Sequence, residues 1–290
     1  MTYAVSRLAD TRCRVGESPV WDGERNRLLW ADCRAGRIYV HDFNVGELFN
    51  WTLPEQVRSF GLAEASRLVV ALISGIYLFD TQSQGLEFLV DPEPEHAGSR
   101  SSRRLNDGKV GPDGAFWVGS MHTDAPTAAL YRITPDGQCE RKVEGLSTSN
   151  GLAFSADGTV MIHTDSRAEW IDRYSLDAST GELGERTRIA TPGEADGRPD
   201  GGAFDSEDCY WSAGVTAGCI NRYDLNGRLL EKIPVPVRAP TMPCFGGPDM
   251  KTLFITSLRR ENGAGDECGN VFMMSVDVPG VPIGRFGFPV

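Results

Sequence analysis

The sequence predicts an all-β fold, a six-bladed β-propeller, on three observations. A unit of short strand-like runs recurs through nearly the whole chain of 290 residues. Its period falls in the 40–50-residue range typical of propeller blades. Asp- and Gly-rich tight turns punctuate each unit, and no helical periodicity of comparable length competes.

The units can be taken in order. The first is "GESPVWDGERNRLLWADCRAGRIYVHD" from Gly16, and the second is "FGLAEASRLVVALISGIYLFD" from Phe60. The third opens "NDGKVGPDGAFWVGSM" at Asn106, and the fourth "NGLAFSADGTVMIHTDS" at Asn150. "DGGAFDSEDCYWSAG" from Asp200 and "PCFGGPDMKTLFITS" from Pro243 begin the fifth and sixth. With Glu17, Phe60, Asn106, Asn150, Asp200 and Pro243 as anchors, the spacings are 43, 46, 44, 50 and 43 residues. Runs such as "RLLWAD", "RLVVAL" and "TLFITS" carry the β-branched and aromatic residues that sheet interiors favour. The turns "PDG", "ADG", "SED" and "PDM" supply hairpin chemistry. The leftover N-terminal segment "YAVSRLAD" is expected to close the ring as the outer strand of the last blade, removing an open sheet edge. Residues 1–290 are thus expected to form a single propeller domain.

Composition narrows the function classes. Hydrophobic residues make up 40% and charged residues 24%, ordinary for a globular protein. A net charge of −11 argues against nucleic acid or an anionic membrane as partner. No apolar run approaches the roughly 20 residues of a membrane span. The N-terminus lacks a secretory apolar run, so a cytoplasmic protein is expected, and a monomer, since a closed ring can stand alone. The seven cysteines form no CxxC pair and read as reduced thiols.

In a propeller, the innermost strand of every blade begins at one mouth of the central channel. Anchors at that position face a common axis, so Glu17, Asn106, Asn150 and Asp200 should converge, with apolar or proline positions in the second and sixth units. Taken singly, each Asp-Gly or Asn-Gly is an ordinary strand-start turn; the signal is the set. Two carboxylates and two amides form a hard, oxygen-only donor group suited to a divalent cation, which would relieve the repulsion between the acids.

Five motifs in order, "GESPVWD" (16–22), "RLNDGKVGPDGAFWVGSM" (104–121), "SNGLAFSADG" (149–158), "RPDGGAFD" (198–205) and "CFGGPDMKTLFIT" (244–256), resemble the family of senescence marker protein, regucalcin and gluconolactonase. The resemblance implies a metal-dependent sugar lactonase acting on a small-molecule aldonolactone. It places metal ligands at Glu17, Asn150 and Asp200, and substrate contacts at Arg104 and Asn106. Asp124, in "GSMHTDAP", stands where the family commonly has an acidic residue and is a third implied substrate contact. One divalent ion, Ca²⁺, Mg²⁺, Mn²⁺, Zn²⁺ or Fe²⁺, would polarise the lactone carbonyl. Asp200, or a metal-bound hydroxide that Asp200 positions, would activate water. Two alternatives stay open: a calcium-dependent phosphotriesterase or aryl esterase, and a metal-binding propeller without catalysis. No GxSxG elbow is present, and His122 and His163 are read as packing or solvent-facing residues rather than catalysts. The segment 91–104 is expected to be irregular and to border the pocket as a lid.

Overall fold

The structure, a computed structural model, describes residues 3–259 and 267–289. It contains six four-stranded antiparallel sheets arranged as blades, a six-bladed β-propeller. Blade 1 comprises β2 (Gly16–Asp22) to β5 (Glu47–Thr52), and blade 2 comprises β6 (Val57–Leu62) to β9 (Leu86–Val90). Blade 3 runs from β10 (Arg103–Val110) to β13 (Cys139–Leu146), and blade 4 from β14 (Ser149–Phe154) to β17 (Glu182–Ala190). Blade 5 spans β18 (Pro199–Phe204) to β21 (Leu229–Pro234). Blade 6 takes β22 (Pro240–Gly246), β23 (Thr252–Ser257) and β24 (Val271–Ser275) and is completed by β1 (Ser6–Ala9). The N-terminal strand pairs antiparallel with β24, so the ring closes as the sequence predicts.

Each seam between neighbouring blades is filled by its own apolar cluster. Leu29 and Phe60 meet between blades 1 and 2, for example, and Trp211 and Phe245 between blades 5 and 6. The first hairpin of every blade turns through a left-handed residue: Asn26, Ala65, Gly114, Gly158, Asp208 and Met250, with φ between 49° and 72°. Glycine fills only two of the six positions. Seam burial therefore tolerates the modest cost of left-handed backbone at the other four.

Every innermost strand is interrupted by a register shift near its start. Such bulges re-aim side chains, here toward the channel mouth. The last regular pair before each shift aligns Gly16, Val57, Leu105, Ser149, Pro199 and Pro240, or the residue that follows them. The equivalent mouth residues are therefore Glu17, Arg58, Asn106, Asn150, Asp200 and Thr241. This corrects two anchors: Phe60 and Pro243 lie two residues further down their strands. An arginine and a threonine, not apolar or proline residues, occupy the mouth positions of blades 2 and 6.

Beyond Ser275 the chain crosses the opposite end of the channel instead of continuing blade 6. Backbone N–H groups of Gly280, Val281, Phe286 and Gly287 donate to the carbonyls of Met250, Phe204, Leu62 and Gly114. Arg285 holds this strap to Asp22 (2.7 Å). The segment 91–104 is less irregular than the sequence suggests. It forms a 3₁₀ turn over Pro94–Ser99, and Glu93 is buried beneath it. Among the described residues, no helix is long and apolar enough to cross a membrane.

Candidate active site at the channel mouth

The site follows from four blade starts brought to one place. Asn150 Nδ2 donates to Asp200 Oδ1 at 2.7 Å and to Ser166 Oγ at 2.7 Å. Asn106 Nδ2 in turn donates to Asn150 Oδ1 and to the Ser149 carbonyl, both at 2.9 Å. Glu17, Asn106, Asn150 and Asp200 together line a cavity of about 350 Å³ whose rim includes Arg167 and Arg198. The structure thus brings together all four oxygen-bearing residues that the repeat pattern selects.

Close backbone approach makes this convergence possible. Gly151 has φ +66°, and a Cβ there would lie 2.5 Å from Tyr210 Oη. That hydroxyl donates to the Gly151 carbonyl at 3.0 Å, tying blade 5 to blade 4 directly below Asn150.

The electrostatics are unusual for so acidic a floor. Glu17 is held well above the usual carboxylate range, first by burial and then by the charges of Asp200 and Asp107. Asp200 is pushed up to about 7 by burial and by Asp107, with Arg198 pulling the other way. Among the described residues, none of these three carboxylates forms an ion pair with a basic side chain. The motif reading passed over Asp107, although it stands inside "NDGKV". It is buried, accepts from Leu152 N at 3.3 Å, and is raised by burial against the opposing charge of Lys109. Lys109, also buried, donates to the Gly202 carbonyl at 2.6 Å one level further down the channel.

Two like charges at an oxygen-lined mouth fit a divalent cation. Glu17 and Asp200 offer carboxylate oxygens, and Asn150 Oδ1 keeps a second lone pair beyond the one Asn106 uses. Among the described residues, no three His, Cys, Asp or Glu side chains group at metal-binding spacing. The candidate set therefore depends on the amide as its third donor.

The remaining residues divide. Arg104 stands at the start of β10, opposite Met121, outside the residues that line the cavity, and among the described residues its side chain donates to the Ser101 carbonyl (3.4 Å) and Met121 Sδ (3.9 Å). Asp124 is not gathered into the cavity. Its half-exposed carboxylate is gripped by Arg103 at 2.9 Å, and Thr123 lines the cavity instead. His122 is buried between Thr127 Oγ1 (2.9 Å) and Glu93 Oε2 (3.2 Å), while Tyr131 Oη donates to the other Glu93 oxygen at 3.0 Å. These contacts pin the segment 91–104 at its start. His163 is fully buried against Trp170, contacts Ser149 Oγ at 2.8 Å, and is driven down to about 3 by burial. It is a neutral packing group.

Comparison with known proteins places the chain in a family and fold. The model of the SMP-30/gluconolactonase/LRE-like region matches residues 15–259. A 6-deoxy-6-sulfogluconolactonase of Pseudomonas putida is 39% identical over 92% of each chain. A pentonolactonase of Haloferax volcanii is 29% identical over 96% of each. The crystal structure of a calcium-binding protein, regucalcin, from Agrobacterium tumefaciens superposes with a TM-score of 0.92 at 26% identity, covering 99% of both chains.

Proposed function

Because the chain belongs to the SMP-30/gluconolactonase/LRE-like family, we propose that it hydrolyses a sugar lactone to the open sugar acid at the channel mouth. The observation that carries this reading is the chain of hydrogen bonds from Asn106 through Asn150 to Asp200, set beside Glu17. It fixes a carboxylate of raised pKa at the floor of an open polar cavity. The names of relatives that align over nearly their full length support the lactone class.

Asp200 is the residue placed to move the proton. Burial and Asp107 raise its carboxyl to about 7, so without a cation it is a competent base at neutral pH, and a bound cation would weaken that basicity. It takes a proton from the water that attacks the lactone carbonyl carbon. When the ring C–O bond breaks, the same carboxyl returns that proton to the departing ring oxygen. Asn150 holds the Asp200 oxygen in place, and Asn106 holds Asn150, so the base loses little freedom during the reaction. Arg104 and Asn106 donate to sugar hydroxyls. A divalent cation held by Glu17, Asn150 and Asp200 would supply Lewis-acid polarisation of the carbonyl.

The deciding experiment is a panel of five- and six-membered aldonolactones assayed after chelation and after re-addition of individual divalent metals. Ring opening well above the spontaneous rate is expected with at least one metal. No acceleration of any aldonolactone under any loading overturns the reading.

A further inference from the structure

Three arginines at this mouth lack the carboxylate partners that several arginines elsewhere have. Arg100, Arg132, Arg188, Arg222 and Arg285, all wholly or partly buried or lying against buried acids, engage carboxylates. Arg34, Arg58 and Arg104 engage none among the described residues. Arg58 donates to the Gln56 side chain at 2.7 Å, and its buried Nε has no partner. The buried Nε of Arg104 is likewise unpartnered.

These three side chains form one patch. Arg34 lies in the loop joining β3 (Arg27–Asp32) to β4 (Arg37–Asp42), at the mouth end of blade 1. Arg58 and Arg104 begin the innermost strands of blades 2 and 3. The three are close enough to feel one another. Burial, then the charges of Arg58 and Arg34, bring Arg104 down to about 10. Arg58 is lowered by burial and by Arg34, and buried Cys33 feels both Glu17 and Arg58. Three unpaired guanidiniums converging on a protein of net charge −11 oppose the field of the whole molecule. An anion would complete such an arrangement through charge-assisted hydrogen bonds.

Position says what that anion belongs to. In a ring of six blades, blade 2 faces blade 5, so Arg58 stands across the channel from Asp200. A ligand whose reacting carbonyl lies at Asp200 and Asn150 extends its far end toward Arg58. The geometry points to a terminal-anion subsite formed by Arg34, Arg58 and Arg104, which selects sugar lactones bearing a sulfonate or phosphate on the carbon farthest from the carbonyl. This rests on the lactonase reading, with Arg34 and Arg58 added to it as specificity residues.

The test compares glucono-δ-lactone with its 6-phosphate and its 6-deoxy-6-sulfonate in the full chain, with spontaneous opening subtracted. At least a tenfold higher kcat/KM is expected for one or both anionic lactones, carried by KM and reduced by added salt. Whichever anionic lactone is favoured identifies the source of the anion. The preference over glucono-δ-lactone should fall at least tenfold in Arg58→Met and in Arg34→Met, and should be partly kept in Arg58→Lys. Calorimetric binding of 6-phosphogluconate, 6-deoxy-6-sulfogluconate and gluconate reads the same subsite without turnover. Tighter binding of an anionic acid, lost in Arg58→Met, upholds the subsite even if no lactone opens, in which case only the lactonase reading fails. Equal binding of the three acids, or a preference unchanged in both Met variants, overturns the subsite.

Discussion

At the end of the channel where the innermost strands begin, carboxylates and amides crowd an open cavity. At the end where they finish, a cavity of about 220 Å³ is walled by Phe154, Phe204 and Phe245 and covered by Val281–Gly284 of the C-terminal strap. The same six strands build both ends. The difference arises within each strand, where a bulge turns the first side chains toward the axis and the later residues return to regular pairing in the seams. Asp107 and Lys109 mark the passage between the two regimes, a carboxylate and an ammonium stacked on one strand. Fold stability is thus concentrated at the closed end and in the seams, while the open end carries charge that folding alone does not reward.

The largest test of that division is chemical. Asp200→Asn keeps the side chain's size and removes its ability to take a proton. It should lower kcat by about 10²- to 10⁴-fold, while the metal-free variant melts no lower than the wild type at neutral pH. Steady-state kinetics on a lactone that the wild-type chain opens, paired with a thermal melt, checks both halves. A variant that keeps a tenth or more of wild-type kcat would leave Asp200 as a positioning group only.

The next test concerns the strain that the open end imposes on the metal-free chain. A carboxyl near 7 in the folded state and near 4 in the unfolded chain costs on the order of 4 kcal/mol at neutral pH. The sign follows from proton counting. Between those two values the folded chain holds more protons, so this contribution to stability declines as pH rises from about 4 to 7. His163, driven down to about 3, works oppositely, losing stability as pH falls below its ordinary value near 6.5. The clean quantity is therefore a difference. The melting temperature of chelated Asp200→Asn minus that of the chelated wild type should grow from pH 4 to pH 7. Adding a divalent cation should shrink that difference at pH 7. A gap that stays flat across the range would mean the carboxylate is not strained.

Much of this organisation was legible beforehand, for identifiable reasons. Tight turns leave a local imprint, so Asp-Gly words marked the hairpins, and periodic anchors then brought Glu17, Asn106, Asn150 and Asp200 together. Arg58 and Thr241 escaped because the apolar words of blades 2 and 6 drew the anchors two residues downstream. A bulge offset has no local signature when Gly or Asn is missing. Asp107 was hidden by its neighbours: in "NDG" the turn residues account for the motif without it. Arg34 sits in a loop that the repeat does not align. Whether an arginine is paired depends on partners remote in sequence, as with Arg285 and Asp22.

The closed end offers a complementary break. Gly280 packs so tightly that a Cβ there would lie 1.9 Å from the Phe245 ring. Gly280→Val should destabilise the fold by about 1–3 kcal/mol while leaving kcat/KM within about twofold at a temperature where the variant is folded. Denaturant unfolding alongside kinetics reads the two effects separately. A large loss of turnover in a folded Gly280→Val would mean that the two ends are coupled through the channel.

The smallest effect is expected at Asp124, and it sharpens where the open end stops. The resemblance implies a substrate contact there, because an acidic residue commonly follows the "GSM" word. In the structure its carboxylate instead faces Arg103 on the rim, and Thr123 takes the cavity-facing position. Arg103 also approaches both ring nitrogens of His96 (3.4 Å each), so removing Asp124 leaves this arginine with partners and in solvent. An exposed pair of this kind holds little orientation that a ligand could exploit. Asp124→Ala should therefore change KM for an aldonolactone by less than about twofold and leave kcat unaltered. A tenfold rise in KM would place the carboxylate on the substrate after all. The Arg103 pairing would then be a resting contact that the ligand displaces.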